Sequence, residues 1–257
     1  VSPAAPPLLF IHGMWSRPRV WAALRETFDA QGHETHAVCL PGHDVEPGDP
    51  VPAGLERYGL QDYVDAVVAQ ARGLSAPPVL IGHSLGGLLA QLAGVIVQPR
   101  ALVLLSPAPS AAILPTSLEP IRALWPILSR WGFWKLPTLP SREAALWGVF
   151  NGVPEAEAEA ETTALVHDSG RVLAQLAFPW ADGTRSAAVD FARLTCPALV
   201  ITGDADRITP MEGARATARR LPGPLTYREM AGFGHWIIGR QGTPVVAQHV
   251  AAFLAKL

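Results

Sequence analysis

A chain of 257 residues can bury a full core, as one large domain or as one domain carrying an insertion. An apolar share of 49% against a charged share of 16% excludes a disordered protein, and a net charge of −2 without any basic cluster gives nucleic-acid binding no electrostatic support. The two cysteines, Cys39 and Cys196, stand far apart in apolar surroundings. They are expected as buried thiols of a reducing, cytoplasmic compartment and not as a disulfide or a metal site. The chain starts at Val1 and not at a methionine, which leaves a removed leader open.

After a proline-rich start, Ser2 to Pro7, expected as a loose tail, short apolar runs alternate with longer helical patterns. Strands are predicted at Leu8 to Ile11, Glu34 to Leu40, Val79 to Ile81, Leu102 to Leu105, Ala198 to Thr202 and Leu225 to Glu229. Helices are predicted at Val20 to Gln31, Leu60 to Leu74, Leu85 to Val97, Met211 to Leu221 and Pro244 to Leu257. This alternation implies an α/β architecture, a parallel sheet with helices on both faces. The most apolar stretch, Leu80 to Val97, is broken by His83, Ser84, Gly86, Gly87 and Gln91, which fits a buried strand–turn–helix unit better than a bilayer helix. No integral membrane segment is expected.

From Pro107 to about Asp190 no convincing strand is seen. The segment carries Trp125, Trp131, Trp134, Trp147 and Trp180 with Phe133, Phe150 and Phe178, cut by prolines and glycine-rich turns. A structureless loop of that length is implausible in an α/β sheet, so short helices forming a lid are expected, with Ala156 to Ala164 a solvated helix. The expected division is a core of residues 1–106 and 191–257 and a lid of residues 107–190. Simple packing of lid on core would also account for many of the aromatics.

The pentapeptide Gly82-His83-Ser84-Leu85-Gly86 joins a strand pattern to a helix pattern. Such strings also arise in ordinary turns, but at this junction a nucleophile elbow requires one. A Cβ at 82 or 86 would crowd the neighbouring strand or helix, and the new helix places free N–H groups and its positive dipole end beneath the serine hydroxyl. A serine needs a base. Of eight histidines, His235 in Gly232-Phe233-Gly234-His235-Trp236 lies in a glycine-rich loop between the last strand and the last helix, at the sheet edge where Ser84 sits. A loop histidine is otherwise most often merely solvated. The orienting carboxylate is expected to be Asp206, just past the strand ending at Gly203, with Asp204 the competitor and a turn role its alternative. Oxyanion N–H donors are expected from Leu85 and from Met14, in the loop after the first strand where Gly13 lets the backbone approach. His12 and His83 are expected to be structural.

Together these motifs resemble the α/β-hydrolase superfamily: HGMW at His12 to Trp15, LPGHD at Leu40 to Asp44, GHSLGG at Gly82 to Gly87, the run Cys196 to Pro210, and GFGHW at Gly232 to Trp236. The resemblance covers nearly the whole chain. It implies Ser84 as nucleophile, His235 as base, Asp206 as acid, Met14 and Leu85 as oxyanion donors, and the insertion as the family's helical cap. The two antiparallel strands that often precede the first motif are missing, so the sheet is expected to be about six-stranded. Ser84 argues against the dehalogenases and epoxide hydrolases, which use Asp, and Trp236 stands where hydroxynitrile lyases carry lysine.

The expected function is a serine carboxyl-ester hydrolase working through an acyl-enzyme, with no cofactor and no metal. Its expected partner is a small-molecule, neutral or lipophilic ester of short to medium acyl chain. Trp15, Trp125, Trp134, Trp147, Phe178 and Trp236 are the candidate substrate-binding residues. The same triad would serve a carbon–carbon bond hydrolase, lactonase, amidase, thioesterase or perhydrolase, and a hydrolase-like small-molecule receptor is the reading from another class. The oligomeric state is left open.

Overall fold

The computed structural model describes residues 5–113 and 117–257. Six parallel strands form the main sheet: β1 (Leu8–Ile11), β2 (Thr35–Val38), β3 (Val79–His83), β4 (Ala101–Leu105), β7 (Ala198–Gly203) and β8 (Leu225–Met230), in the order β2-β1-β3-β4-β7-β8. All six predicted strands are found, with ends that differ by no more than two residues. The central strands read as unbroken apolar runs because both faces are covered. Their side chains alternate between two cores, as the two-residue period of a strand demands. Leu9, Ile11, Leu80, Leu102, Leu104 and Val200 face α2 (Leu60–Arg72), α3 (Leu85–Val97) and α8 (Met211–Ala218). Leu8, Phe10, Val79, Ile81, Val103 and Ile201 face α1 (Ala22–Asp29) and α9 (Gly242–Leu254). The edge strand β8 is largely exposed and carries an Arg215–Glu229 ion pair beside it, a charged edge that resists further pairing.

Between β4 and β7, which are neighbours in the sheet, the chain makes its excursion. It contains α4 (Glu119–Leu128), a helical turn α5 (Arg142–Ala144) running into a π-helical turn at Ala145–Val149, α6 (Glu155–Thr163) and α7 (Gly170–Ala177). Contrary to the sequence expectation, it also contains a strand pair, β5 (Pro137–Thr138) against β6 (Asp168–Ser169), antiparallel. Two residues per strand are too few to show any alternation, which is why the pattern missed them. The helix expected at Ala156 to Ala164 is α6, with Ala158 turned inward.

The cysteines also depart from expectation: Cys39 is exposed and Cys196 half-buried, and both are free. Val38 and Leu40 point into the core, so alternation along the edge strand turns Cys39 outward. Of the expected loose tail, Ser2 to Ala4 lie outside the described residues, whereas Pro7 is buried and its carbonyl accepts Val79 N–H at 2.9 Å.

Candidate active site

Parallel strands carry their carboxyl ends to one edge. The strand order reverses direction at β1, and open α/β sheets of this kind bind ligands beside such a switch point, here the ends of β1 and β3. Ser84 sits there with φ 55° and ψ −121°, the conformation of a side chain thrust out of a sharp strand-to-helix turn. Ser84 N–H donates to Leu105 O (3.0 Å), and Ser84 O accepts from Gly87, Leu88 and Ala108 N–H, so the elbow is bonded on both sides. A Cβ on Gly82 would run into the Gly86 carbonyl, and one on Gly86 into the Ile11 and His12 carbonyls, as the crowding argument requires. Among the described residues, three of the five non-glycine positions with positive φ are Trp15, Ser84 and Ser106, at the ends of β1, β3 and β4. Strain gathers at this edge.

The loop after β8 brings His235 to the same edge, buried, with Nδ1 2.8 Å from Asp206 Oδ2. Asp206 is buried at the end of β7 and accepts N–H bonds from Ile208 and Thr209, both 2.8 Å. Burial works against its charge, but the His235 contact and these N–H bonds outweigh it and hold the carboxyl below its ordinary value. Thr209 was not foreseen. Its hydroxyl lies 2.9 Å from Asp206 Oδ2, 3.1 Å from His235 Nδ1 and 2.9 Å from Ser106 O, linking the pair to the end of β4. Asp204 is elsewhere: it accepts Gly232 N–H at 2.8 Å and braces the His235 loop from outside.

His83 does not sit idle beside the elbow. Its Nε2 bonds His235 O at 2.9 Å and its ring packs at a tilt against the His235 ring, centroids 4.8 Å apart, so the segments bearing Ser84 and His235 touch. Burial, then the neighbouring His235, lowers its pKa to about 3, so it stays neutral. His12 is likewise buried, with Nδ1 2.9 Å from Gly13 O, and is lowered to about 3 by burial and then by His43.

A Cβ on Gly13 would lie 3.1 Å from Ser84 Cβ, so only glycine lets this strand end come so close. Met14 follows it, half-buried. Among the described residues neither Met14 N–H nor Leu85 N–H donates to a protein acceptor. Trp15 is buried with Phe133 and Leu173, and Met14, Trp134 and Phe178 lie against that cluster. Trp236 is buried against His83 and Phe150. The other two aromatic candidates lie away from it: Trp125 is 60% exposed on the outer face of α4, and Trp147 is held between the Arg122 and Arg207 guanidinium groups, 4.2 and 4.7 Å from its centroid.

A second buried carboxylate went unread in the sequence. Asp168 of β6 is fully buried; Oδ1 accepts from Tyr63 OH (2.7 Å) and Ser169 N–H (2.6 Å), and Oδ2 accepts Trp15 N–H (3.1 Å). His43 Nε2 lies 3.2 Å from Oδ2, an ion-pair distance without hydrogen-bond alignment. Burial alone would lower the His43 pKa, but the Asp168 charge more than reverses this. Among the described residues no cluster of three or more His, Cys, Asp or Glu could hold a metal, and no helix is long and apolar enough to cross a membrane.

A sequence model of the alpha/beta hydrolase family matches residues 8–248. The pimeloyl-[acyl-carrier protein] methyl ester esterase of Xanthomonas oryzae pv. oryzae is 35% identical over 105 residues, 40% of this chain and 38% of that protein. The chain thus matches well under half the length of the curated relatives. Among solved structures, a methylesterase from Arabidopsis superposes with TM-score 0.72 at 16% identity, covering 98% of this chain and 100% of the other. The Paleococcus ferrophilus monoacylglycerol lipase superposes with TM-score 0.69 at 21% identity, covering 98% and 96%. At such identities the superpositions bear on the fold alone.

Proposed function

The chain belongs to the alpha/beta hydrolase family, and we propose that it is a serine hydrolase cleaving neutral or lipophilic carboxylic esters through an acyl-enzyme. The observation that carries this reading is the buried Asp206–His235 pair delivered to the edge where the strained Ser84 stands, its loop packed against the elbow through His83. In this reading Ser84 Oγ attacks the ester carbonyl and His235 Nε2 takes its proton. Asp206, bonded to Nδ1, fixes the tautomer and stabilises the imidazolium. The oxyanion is received by Met14 and Leu85 N–H, the second at the positive end of α3. Collapse expels the alcohol, protonated by His235. Water, deprotonated by the same imidazole, then attacks the acyl carbonyl, and collapse releases the acid as His235 returns the proton to Ser84 Oγ.

Residues 107–190 are proposed as the cap over a core of residues 1–106 and 191–257. Trp15, Phe133, Trp134, Leu173 and Phe178 lie around Met14 and would give the acyl group an apolar wall. The name of the similar curated protein, a methyl ester esterase matched over 40% of this chain, supports the ester bond.

The test is a panel of p-nitrophenyl esters from C2 to C16, run with a fluorophosphonate probe. Steady multiple turnover is expected, with one label, at Ser84, absent from Ser84→Ala. Labelling that survives the substitution, or tight ester binding with a single turnover, would overturn the assignment, the latter in favour of a receptor.

A further inference from the structure

Trp15 follows the proposed oxyanion donor Met14, and its backbone is unusual in two ways. It has φ 58°, a left-handed conformation that costs a bulky residue about 1–3 kcal/mol and persists only where the surroundings hold it. Both of its backbone polar groups are taken by the inserted segment: Trp15 N–H donates to Asp168 Oδ2 at 3.1 Å, and Trp15 O accepts Val166 N–H at 2.9 Å. The indole Nε1 reaches Thr138 Oγ1 of β5 at 3.4 Å, so three residues of the insertion hold one residue of the β1 loop. On its other side Met14 is bounded by Gly13, jammed against Ser84.

Asp168 is itself anchored. Tyr63 of α2 and the Ser169 amide fill Oδ1, and His43 flanks Oδ2. Ser169 Oγ donates to Tyr58 O at 2.7 Å, and Gln175 Oε1 accepts Leu60 N–H at 2.8 Å. This half of the insertion is therefore stitched to the core beside α2. A carboxylate accepting from a buried backbone N–H makes one of the stronger hydrogen bonds available to it.

We propose that Asp168 is a positioning residue for the oxyanion site: through Trp15 N–H, with Val166 holding Trp15 O, it fixes the peptide segment that aims Met14 N–H at Ser84. The inference rests on the serine-hydrolase reading of Ser84 and Met14. Asp168 touches no reacting atom. Its effect is on where the donor stands, and a misplacement of about 1 Å can cost about 100-fold in rate.

The experiment compares wild type, Asp168→Ala and Asp168→Asn as full chains. Three quantities are read: kcat and KM on a short p-nitrophenyl ester, the affinity of a trifluoromethyl ketone that forms a tetrahedral adduct, and amide hydrogen exchange over residues 10–18. In Asp168→Ala, kcat is expected to fall about 10- to 100-fold with KM within about threefold. Ketone affinity should fall in step, and exchange at Met14 and Trp15 should rise. Asp168→Asn keeps an acceptor oxygen and should recover a large part of both losses. Where Asp168→Ala does not fold, Asp168→Asn is read alone, with a parallel loss of kcat and ketone affinity smaller than tenfold but above twofold expected. A folded variant with kcat and ketone affinity within twofold of wild type overturns the proposal, as does a loss confined to KM. A wild type without ester turnover or Ser84 labelling overturns the hydrolase reading instead, and the catalytic half of this proposal with it; the exchange data would then report on the clamp alone.

Discussion

Asp206–His235 and Asp168–His43 are both buried carboxylate–imidazole pairs, and they differ in what faces the far ring nitrogen. His235 commits Nδ1 to Asp206 and, among the described residues, has no protein partner at Nε2. His43 has both nitrogens occupied: Nδ1 faces Pro41 O at 3.1 Å and Nε2 faces Asp168 at 3.2 Å. Both neighbours are acceptors, so neither nitrogen is free to take a proton from a third group, and the Asp168 charge raises the ring's pKa. The carboxylates are complementary in the same way. Asp206 holds the loop that carries His235, whereas Asp168 ties together α2, the β1 loop and the insertion. The free far nitrogen of His235 is what the proposed catalytic role asks for; His43, with acceptors at both nitrogens, is left the role of a fastener.

The largest expected effect separates the two carboxylates nearest His235. Asp206→Asn should leave the fold intact by circular dichroism and cut kcat about 10⁴-fold, by presenting the wrong imidazole tautomer. Asp204→Asn should stay near wild type, because Asp204 braces Gly232 and not the imidazole. The reverse pattern would exchange their roles.

The second test sets His43 against His235. His43→Ala leaves the Asp168 charge buried without its counter-ion and should cost about 3–5 kcal/mol in urea denaturation. His235→Ala strands the buried Asp206 in the same way and should also lose stability, but it alone should abolish turnover. Abolished turnover in a folded His43→Ala would erase the distinction between fastener and working pair.

Acid titration sharpens it further, since each pair has a neutral histidine beside it: His12 lies 5.0 Å from His43 and His83 4.8 Å from His235. Both fall from an ordinary 6.5 to about 3 in the fold. A histidine with a depressed folded pKa binds its proton more readily when unfolded, so the stability it contributes is present above 6.5 and lost as pH falls toward 3. Two such groups give a slope of up to about 2.7 kcal/mol per pH unit. The lowered Asp206 and Asp168 carboxyls add to the acid loss only below about 3.8, their ordinary value. His43 is raised, so its contribution is complete below 6.5 and fades as pH rises through its folded value. Urea denaturation at pH 7, 5 and 4 measures the acid limb. A flat profile between 6.5 and 4 would show that His12 and His83 are not buried neutral.

The smallest expected effect concerns acyl choice. Trp134→Ala and Phe178→Ala, at the Met14–Trp15 cluster, should shift the ester chain-length profile by a few-fold, by removing part of an apolar wall. Trp125→Ala on the outer face of α4 and Phe253→Ala in α9 should leave its shape alone. A profile insensitive to Trp134 and Phe178 would place specificity elsewhere.

The residues of the proposed working pair could be read in the sequence and those of the fastener could not. Ser84, Asp206 and His235 each stand at a strand end within a local glycine or spacing pattern, and parallel strands must deliver such ends to one edge. Sheet strands were legible because burial on both faces makes their runs apolar. Asp168 and Tyr63 are 105 positions apart, and Asp168 and Trp15 153, with no periodic signal joining them. Thr209 stands in a run that was read, but its reach to His235 depends on how the loop turns after Asp206. The misplaced Cys39 needed only the alternation Val38-in, Cys39-out, Leu40-in, which the apolar neighbourhood obscured.

The hold of Thr138, Val166 and Asp168 on Trp15 bears on how such enzymes can be re-engineered. Exchanging the segment between β4 and β7 is an obvious way to alter substrate range, because both of its junctions lie side by side in the sheet. Here that segment is no interchangeable module. If Asp168 positions the oxyanion donor as proposed, a graft that reproduces its helices but brings no acceptor for Trp15 N–H and no donor for Trp15 O would leave Ser84 intact and still turn over slowly. Chimeras should therefore keep residues 137–169 with the host sheet and vary only the outer face of α4, since Leu124, Ile127 and Leu128 on its inner side pack on the Trp15 cluster.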